Sequence, residues 1–438
     1  MDILLILGAL LLFWLVIEVV MRLMPYRTGF YTSIPRAQII QQQKKHAVKT
    51  TCGFGWVHLG WIADPADEHY RIELYTEGMW LPIGEASFGS YLSQAGGRLR
   101  VLALDKKGKV SRMLGEVEVF PLEGNPAVYK PEITGEWTRV FQPQMAGYYI
   151  NDHTIYQDAN GDWRLLGITS RTNGNYNAEC YFASAVSGAF PPQEEMEEQP
   201  PLADFGELAW APAVIQAKDS YHLFWSPHRL HQMSSQDGIN WENHRVTMQA
   251  PYHRFFRDPM VLQVAEDQWL LFTTARGRFF SQVDIYQSFD LQGWQYIRTA
   301  LRTSWGSERN SAFASTESPF VIPYRGRYYL SVTYNNGSTF LSGLLLLIKK
   351  WLQPATYNDT LVFQSDNPYD FGEYRGRRRS PSLVAVLSAH APEWVHIAES
   401  DRWYLTTCGW PWASTLTAGE VAAAQLEWLP CGDAEKSI

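Results

Sequence analysis

The sequence contains little cysteine. Its 438 residues include four cysteines, at Cys52, Cys180, Cys408 and Cys431, and no two of them form a Cys-x-x-Cys pair. This spacing argues against a metal cage held by paired thiolates, and we predict no metal site from it. Four scattered cysteines in a chain of this length also lack the pattern of a disulfide scaffold. We therefore expect free thiols, which favours a reducing compartment.

Basic charge is also scarce. Lysine and arginine number 37 against 45 aspartates and glutamates, so the formal net charge at pH 7 is −8. No basic stripe interrupts the body of the chain, as a nucleic-acid-binding surface would require. The composition therefore excludes a general nucleic-acid binder.

Only one long hydrophobic run is present, at residues 3–21. Its length suffices for a membrane-spanning helix of about 20 residues. The run lacks the basic leader and the cleavage site of a signal peptide. Basic residues follow it, at Arg22, Arg27, Arg36, Lys44, Lys45 and Lys49. The positive-inside rule then predicts a single-pass protein with its body in the cytoplasm, joined to the anchor (1–24) by a polar tether at 25–46.

Aromatic residues are abundant, and apolar and polar residues alternate along most of the body. The aromatic share is 14%, which is typical of β-structure. Five segments repeat one form: a polar or acidic corner, often with proline, followed by a hairpin of two apolar strands. These segments are 151–170, 210–226, 257–274, 317–334 and 391–410.

Two segments continue into a second hairpin, marked by serine, aspartate and tryptophan in "SSQDGINWE" (234–242) and "YQSFDLQGWQ" (286–295). Two hairpins make four strands, so five such units predict a five-bladed β-propeller at 124–438. Two stacked β-sandwiches are the alternative, but they do not explain one motif that returns five times. Residues 47–123 alternate as β-strands too, and we expect a small β-sandwich-like accessory domain there. The predicted fold class is therefore all-β.

The corners hold the candidate functional residues. The first strand of every propeller blade lines the central channel, so the five corners should meet at one mouth. Three of them carry a carboxylate: Asp152, Asp258 and Glu317. Clustered acids raise at least one pKa, since like charges disfavour ionising every group. A protonated acid beside an ionised one is what glycoside cleavage uses.

This layout resembles the five-bladed glycoside hydrolases of families 32, 43, 62 and 68. "FRDP" at 256–259 is similar to the Arg-Asp-Pro motif of families 32 and 68, and "ND" at 151–152 to the start of their Asn-Asp-Pro-Asn motif. "WAPAV" (210–214) and "ESPFVI" (317–322) look more like family 43. The resemblance covers roughly residues 145–412.

The resemblance implies a role for each acid. Asp152 corresponds to the nucleophile or general base, Asp258 to the stabiliser of the transition state, and Glu317 to the general acid. Two departures leave the subfamily open. His153 stands where the families have proline, and Ser318 stands where family 43 has glycine and family 32 has cysteine.

Further residues at the corners are candidate substrate ligands: Arg257, His153, Trp210 and His390. No cofactor is required, although the resemblance also allows a calcium ion in the channel near a histidine. Glu207 and Glu393 lie near corners as well, but their spacing does not separate them from ordinary surface acids.

Structural alternatives remain for the acids. Asp152 could cap a turn, Asp258 could form a bridge with Arg257, and Glu317 could lie on the solvated surface. The aromatic Trp210 could belong to the core. The predicted function is a membrane-anchored glycosidase acting on a carbohydrate or glycoconjugate such as a furanoside. A propeller that binds a glycan without cleaving it is one alternative, and an enzyme that transfers the glycosyl group to another acceptor is a second.

Overall fold

The computed structural model describes residues 8, 12–13, 32–45, 48–171, 178–249, 256–276, 281–303, 315–335, 358–409 and 417–431. Apart from three positions, the predicted transmembrane segment at 3–21 lies outside these residues. Within the described part of the chain, no helix combines the length and the apolar character needed to cross a bilayer. Most of the described residues lie in β-strands, as the alternating sequence pattern predicted.

Five antiparallel sheets make up the body, and we number them in chain order. Sheet 1 consists of β10 (Tyr148–Gln157), β11 (Trp163–Arg171), β12 (Phe182–Ser187) and β13 (Glu197–Leu202). Sheet 2 consists of β14 (Trp210–Ala217), β15 (Ser220–Ser226), β16 (Arg229–Ser235) and β17 (Glu242–Gln249). In both sheets each strand pairs with the next along the chain. The first strand of each of these two sheets contains one of the repeated corners.

The next two sheets keep this order with one exception: β25, which lies between β24 and β26 in the chain, pairs with sheet 3. Sheet 3 consists of β18 (Arg257–Ala265), β19 (Gln268–Arg276), β20 (Ser281–Ser288), β21 (Gln295–Thr303) and the short parallel strand β25 (Gly372–Tyr374). Sheet 4 consists of β22 (Ser315–Tyr324), β23 (Arg327–Asn335), β24 (Asp359–Ser365) and β26 (Leu383–Ser388).

Sheet 5 joins the two ends of the body. Its strands are β27 (Trp394–Ile397), β28 (Arg402–Thr407), β29 (Val421–Pro430) and β8 (Tyr129–Ile133), with β9 (Thr138–Phe141) also paired to β29. Strand β8 comes from the start of the body and pairs with β29 from the end of the body, so that Pro131 lies opposite Trp428. Backbone hydrogen bonds therefore close the chain on itself.

The hydrophobic core is divided among the gaps between neighbouring sheets. Five buried clusters fill the gaps, one between each consecutive pair of sheets. Leu166 and Leu223 meet between sheets 1 and 2. Ile150 and Val421 meet between sheet 1 and sheet 5, so the last sheet also packs on the first. Each sheet therefore packs on the next and the last packs on the first, so the five sheets form a closed ring.

The repeated serine and aspartate of the second hairpins have a structural role in the turns. The Asp237 carboxylate accepts hydrogen bonds from the backbone N–H groups of Ile239 and Asn240, each at 2.8 Å. These bonds hold the pKa of Asp237 well below its usual range. Asp290 accepts bonds from the N–H groups of Gln292 and Gly293 in the same way. These acids therefore satisfy the backbone of a tight turn.

Two smaller sheets precede the ring. One consists of β1 (Lys49–Gly53), β2 (Trp56–Gly60) and β5 (Ser90–Ser93); the other consists of β4 (Met79–Ala86), β3 (His69–Thr76), β6 (Gly97–Leu104) and β7 (Val110–Val119). A shared cluster that includes Leu59, Trp61, Ile72 and Val101 lies between them. The two sheets therefore bury one face each against the other.

Polar contacts attach this pair of sheets to the ring. The side-chain amide of Gln287 donates to the carbonyls of Trp61 and Gly89, at 2.8 and 2.7 Å. His58 lies in the same interface, where its Nε2 is 2.8 Å from the Ser90 hydroxyl and its ring stacks on Tyr369. Burial, followed by the charge of Arg298, lowers the pKa of His58 to about 3.

We expect His58 to make the protein sensitive to acid. The unfolded histidine binds a proton below its ordinary pKa of 6.5, whereas the folded one stays neutral down to about 3. Stability is therefore lost as the pH falls through this window, by about 2 kcal/mol between pH 7 and pH 5. Urea unfolding of wild type and His58→Gln at both pH values measures this contribution. An equal loss of stability in the variant would show that His58 does not cause it.

The segment before these sheets also contacts the body. Helix α1 (Arg36–Lys45) lies within the segment predicted as a tether. Gln43 donates a hydrogen bond to the carbonyl of Ile62 at 2.7 Å, and the backbone N–H of Ser33 donates to the carbonyl of Trp294 at 2.9 Å. Residues 32–45 are thus packed on the body.

Candidate active site

In sheets 1 to 4 the first strand contains a bulge at its corner. In four of the five sheets, the residue before the corner proline has a left-handed backbone, with φ of 50° at Ala211, 56° at Asp258, 48° at Ser318 and 43° at Ala391. Residues before proline normally prefer extended backbone. Each departure costs about 1–3 kcal/mol and is typical of functional sites. In sheets 2, 3 and 4 the pairing register shifts at the same point, and such bulges re-aim side chains.

The three predicted acids can be compared by their positions in the corners. Asp152 and Asp258 occupy equivalent positions, directly before His153 and Pro259. Glu317 lies one residue earlier in its corner, at the position that Arg257 occupies in sheet 3. An arginine of one sheet therefore corresponds in position to an acid of the next.

All three acids are buried near the inner end of the ring. Their exposed fractions are 7% for Asp152, 3% for Asp258 and 7% for Glu317. Asp152 and Asp258 line a cavity of about 140 Å³ that the inner strands of all five sheets enclose. The ring thus brings together acids that are far apart in sequence.

Arg257 contacts two of the acids. Its Nη1 lies 3.0 Å from Asp258 Oδ2, and its Nη2 contacts Glu317 Oε1. Asp258 Oδ2 also accepts hydrogen bonds from the Thr274 hydroxyl at 2.9 Å and from the Ser318 N–H at 3.0 Å. These contacts fix the orientation of Asp258 and favour its ionised form.

Asp152 has weaker partners. The Ser318 hydroxyl lies 3.5 Å from Asp152 Oδ2, and His390 Nε2 lies 3.9 Å from Oδ1. Burial raises the pKa of Asp152 well above its usual range; the charges of Asp258, Glu317 and Glu179 add to this effect, and Arg257 opposes it. Burial also raises the pKa of Asp258, against the lowering effect of Arg257.

The other predicted residues differ in their surroundings. His153 is buried with its Nε2 2.8 Å from the Thr406 hydroxyl, which joins sheet 1 to sheet 5. Burial and the neighbouring His390 lower the pKa of His153 to about 3, so its ring is neutral. Trp210 packs against the cluster between sheets 1 and 2. His153 lines the cavity, whereas Trp210 is not among the residues that line it.

Sequence reasoning did not separate Glu393 from Glu207, and the structure does. Glu393 lines the cavity, where the Thr154 hydroxyl donates to it at 3.5 Å. Burial raises the pKa of Glu393 well above its usual range. Glu207 is 43% exposed at its side chain and lies 3.7 Å from Arg229. The difference follows from the corner of sheet 5, which turns Glu393 inward.

Two further residues near Asp152 carried no sequence signal. Glu179 is 1% exposed, accepts a hydrogen bond from the Tyr149 hydroxyl, and adds negative charge near Asp152. Cys408 is fully buried, with its Sγ 3.6 Å from Asn151 Oδ1. Neither follows a proline corner, so only the folded ring reveals their position.

One group of side chains in the channel could hold a metal ion. Asp152, His390 and Cys408 each offer one ligand atom, and these atoms lie within 4.8 Å of one another. Calcium prefers oxygen ligands, which this group lacks apart from one carboxylate. The cluster therefore does not fit the calcium ion that the resemblance allowed.

Part of the chain matches a known family. Residues 210–319 match the model of the glycosyl hydrolases family 32 N-terminal domain. The match begins at Trp210 and includes Arg257, Asp258 and Glu317, and it spans roughly a quarter of the chain. It confirms the resemblance predicted from the corner motifs and supports a glycosidase. No curated protein matches the chain in sequence.

Solved structures with a similar fold include several glycoside hydrolases. A thermostable family-43 glycoside hydrolase has 14% identity and a TM-score of 0.46, over 67% of this chain and 94% of its own. A Bombyx mori family-32 β-fructofuranosidase, solved with sucrose, has 13% identity and a TM-score of 0.46, over 67% and 62%. An α-L-arabinofuranosidase from Fusarium graminearum has 12% identity and a TM-score of 0.44, over 67% and 97%.

Proposed function

We propose that this protein is a glycoside hydrolase in which the five sheets are the blades of a five-bladed propeller. The observation that carries this proposal is the pair of unlike environments in the channel. Arg257 contacts Asp258 and Glu317, whereas Asp152 is buried without a guanidinium in the contacts described. Two acids whose surroundings give them different pKa values are suited to act as the acid and the base of one reaction.

Cleavage needs two of these groups. The resemblance assigns the base or nucleophile to Asp152, the proton donor to Glu317, and the support of the oxocarbenium-like transition state to Asp258. The donor protonates the leaving oxygen while the other carboxylate activates water or attacks the anomeric carbon. Asp258 is held by Thr274, Ser318 and Arg257, so it is suited to orienting substrate hydroxyls.

The charges around the acids favour a second assignment, in which the proton donor is a different residue. A guanidinium in contact with Glu317 favours a carboxylate, whereas burial raises the pKa of Asp152 well above its usual range. In this arrangement Asp152 is the donor and Glu317 is the base or nucleophile. The two assignments use the same residues and predict different responses to the leaving group.

A small glycoside is the substrate class that we propose. The cavity of about 140 Å³ among the described residues is of the size of a single sugar ring. The resemblance of the corner motifs makes furanosides the first class to test. We expect the sugar to enter the cavity from the end at which the corners and their acids lie.

An activity screen tests the proposal. Detergent-solubilised full-length protein would be offered aryl furanosides, aryl pyranosides, sucrose and fructans. We expect cleavage of one class by wild type and by Glu207→Gln, because Glu207 lies outside the cavity. Glycan binding without cleavage of any substrate would favour the binding propeller, and release of a glycosylated acceptor in place of free sugar would favour the transferring enzyme.

We also propose that residues 3–21 anchor the protein in a membrane with the body in the cytoplasm. The support is the apolar run and the basic residues that follow it. A cytoplasmic enzyme held at a membrane would act on a lipid-linked or metabolite glycoside. A reporter at the C-terminus that is active only on the outer side would contradict this orientation.

A further inference from the structure

A carboxylate, an imidazole and a thiol meet beside the cavity that Asp152 lines. Asp152 belongs to β10, His390 to the corner that leads into β27, and Cys408 follows β28 directly. One ligand atom from each lies within 4.8 Å of the other two, and their exposed fractions are 7%, 1% and 0%. Hydrolysis as proposed above has no use for Cys408.

The chemistry of this donor set selects the ion. An oxygen, a nitrogen and a sulfur donor together suit zinc, which is bound by Asp, His and Cys in a tetrahedral arrangement. A thiolate is a poor ligand for calcium or magnesium. Zinc ligands lie about 2.0–2.3 Å from the metal, so neighbouring ligand atoms are about 3.4 Å apart. The separation of 3.9 Å between Asp152 Oδ1 and His390 Nε2 is close to this value.

The local charge also favours a cation. Asp258, Glu317 and Glu179 act on Asp152 as negative charges. Arg257 contacts Asp258 and Glu317. A divalent ion beside Asp152 would relieve the repulsion between the carboxylates.

We propose that Asp152, His390 and Cys408 form a zinc site whose fourth position is open to water or to a sugar hydroxyl. Binding releases the Cys408 thiol proton to solvent, together with any proton that Asp152 holds, because metal ligands bind in their deprotonated forms. A second consequence rests on the proposed function: zinc occupies a carboxylate needed for hydrolysis and therefore inhibits the enzyme reversibly. Zinc would then act as a regulator of the channel.

Direct metal binding tests the site without any assay of activity. Detergent-solubilised full-length protein, stripped with a chelator, would be titrated calorimetrically with Zn²⁺ alone and separately with Ca²⁺ alone. We expect one Zn²⁺ per chain in wild type, at least about tenfold weaker binding in Cys408→Ser and His390→Asn, and no comparable Ca²⁺ binding. The matched control is Cys52→Ser, which removes an exposed thiol outside the channel and should bind zinc as wild type does.

Cobalt substitution provides a spectroscopic readout. Co²⁺ bound to wild type should show a thiolate-to-cobalt charge-transfer band that Cys408→Ser lacks. Equal Zn²⁺ affinity in wild type and Cys408→Ser, or no such band in wild type, would overturn the site. Zinc binding by a protein that cleaves no glycoside would support the site while rejecting the proposed function. Full hydrolysis with zinc bound would overturn the inhibitory role.

Discussion

Replacing either Asp152 by asparagine or Glu317 by glutamine should lower kcat by about 10³-fold on the glycoside that the screen identifies. Each change keeps the size of the side chain and removes its ability to exchange a proton. Glu207→Gln is the matched control, because it makes the same chemical change on an exposed side chain outside the cavity. Activity within a few-fold of wild type in both channel variants would exclude these acids from the reaction.

The leaving group separates the two assignments of the proton. The dinitrophenolate of a dinitrophenyl glycoside leaves without being protonated. Loss of the proton donor should therefore lower kcat little on this substrate, whereas loss of the base or nucleophile should lower kcat on every substrate. Recovery of Glu317→Gln on the dinitrophenyl glycoside would support the assignment that the resemblance implies. Recovery of Asp152→Asn would support the assignment that Arg257 favours. Kinetics of both variants on aryl glycosides of graded leaving ability measure this directly.

Replacing Arg257 by methionine should have the second largest effect. Arg257 contacts both Asp258 and Glu317, and removal of the cation leaves two buried carboxylates facing each other. Breaking such a buried pair costs about 3–5 kcal/mol of folding stability. Arg257→Lys is the matched control, since it keeps the charge but cannot reach both acids with a planar fork. We expect an intermediate loss of stability for it.

The pH dependence of this loss identifies its cause. Arg257 lowers the pKa of Asp258, so its removal should raise that pKa further above the unfolded value. A group with a raised folded pKa destabilises the protein at high pH, and the loss shrinks as the pH falls through the folded pKa. The difference in unfolding free energy between wild type and Arg257→Met should therefore be larger at pH 7 than at pH 5. A difference that does not change with pH would point to lost packing instead.

Local sequence was sufficient for the type of structure and for part of the site. Alternation of apolar and polar residues predicted strands, and the repeated corners placed Asp152, Asp258 and Glu317 in the inner strands of three sheets. The strands could be predicted because the inward-facing residues of a strand follow from the local pattern. The serine and aspartate of the second hairpins were also visible, although their role in binding turn N–H groups is seen only in the structure.

Contacts between sheets could not be predicted in this way. Cys408 reaches Asn151 across a sequence separation of 257 residues, and Glu179 approaches Asp152 without any corner motif. The cysteine spacing predicted no metal site, since that rule concerns ligands close together in sequence. In a closed ring, residues of the first and last sheets become neighbours whatever their separation.

The sequence by itself determined that this protein is built of repeated β-hairpins with acids at their corners, because strand periodicity and proline corners are local properties. The tertiary structure alone decided which charges these acids meet. Closure of the ring places Arg257 between Asp258 and Glu317 and leaves Asp152 beside His390 and Cys408. Proton affinity and metal affinity depend on charges and burial within a few ångströms, and only the packing of the five sheets fixes those distances.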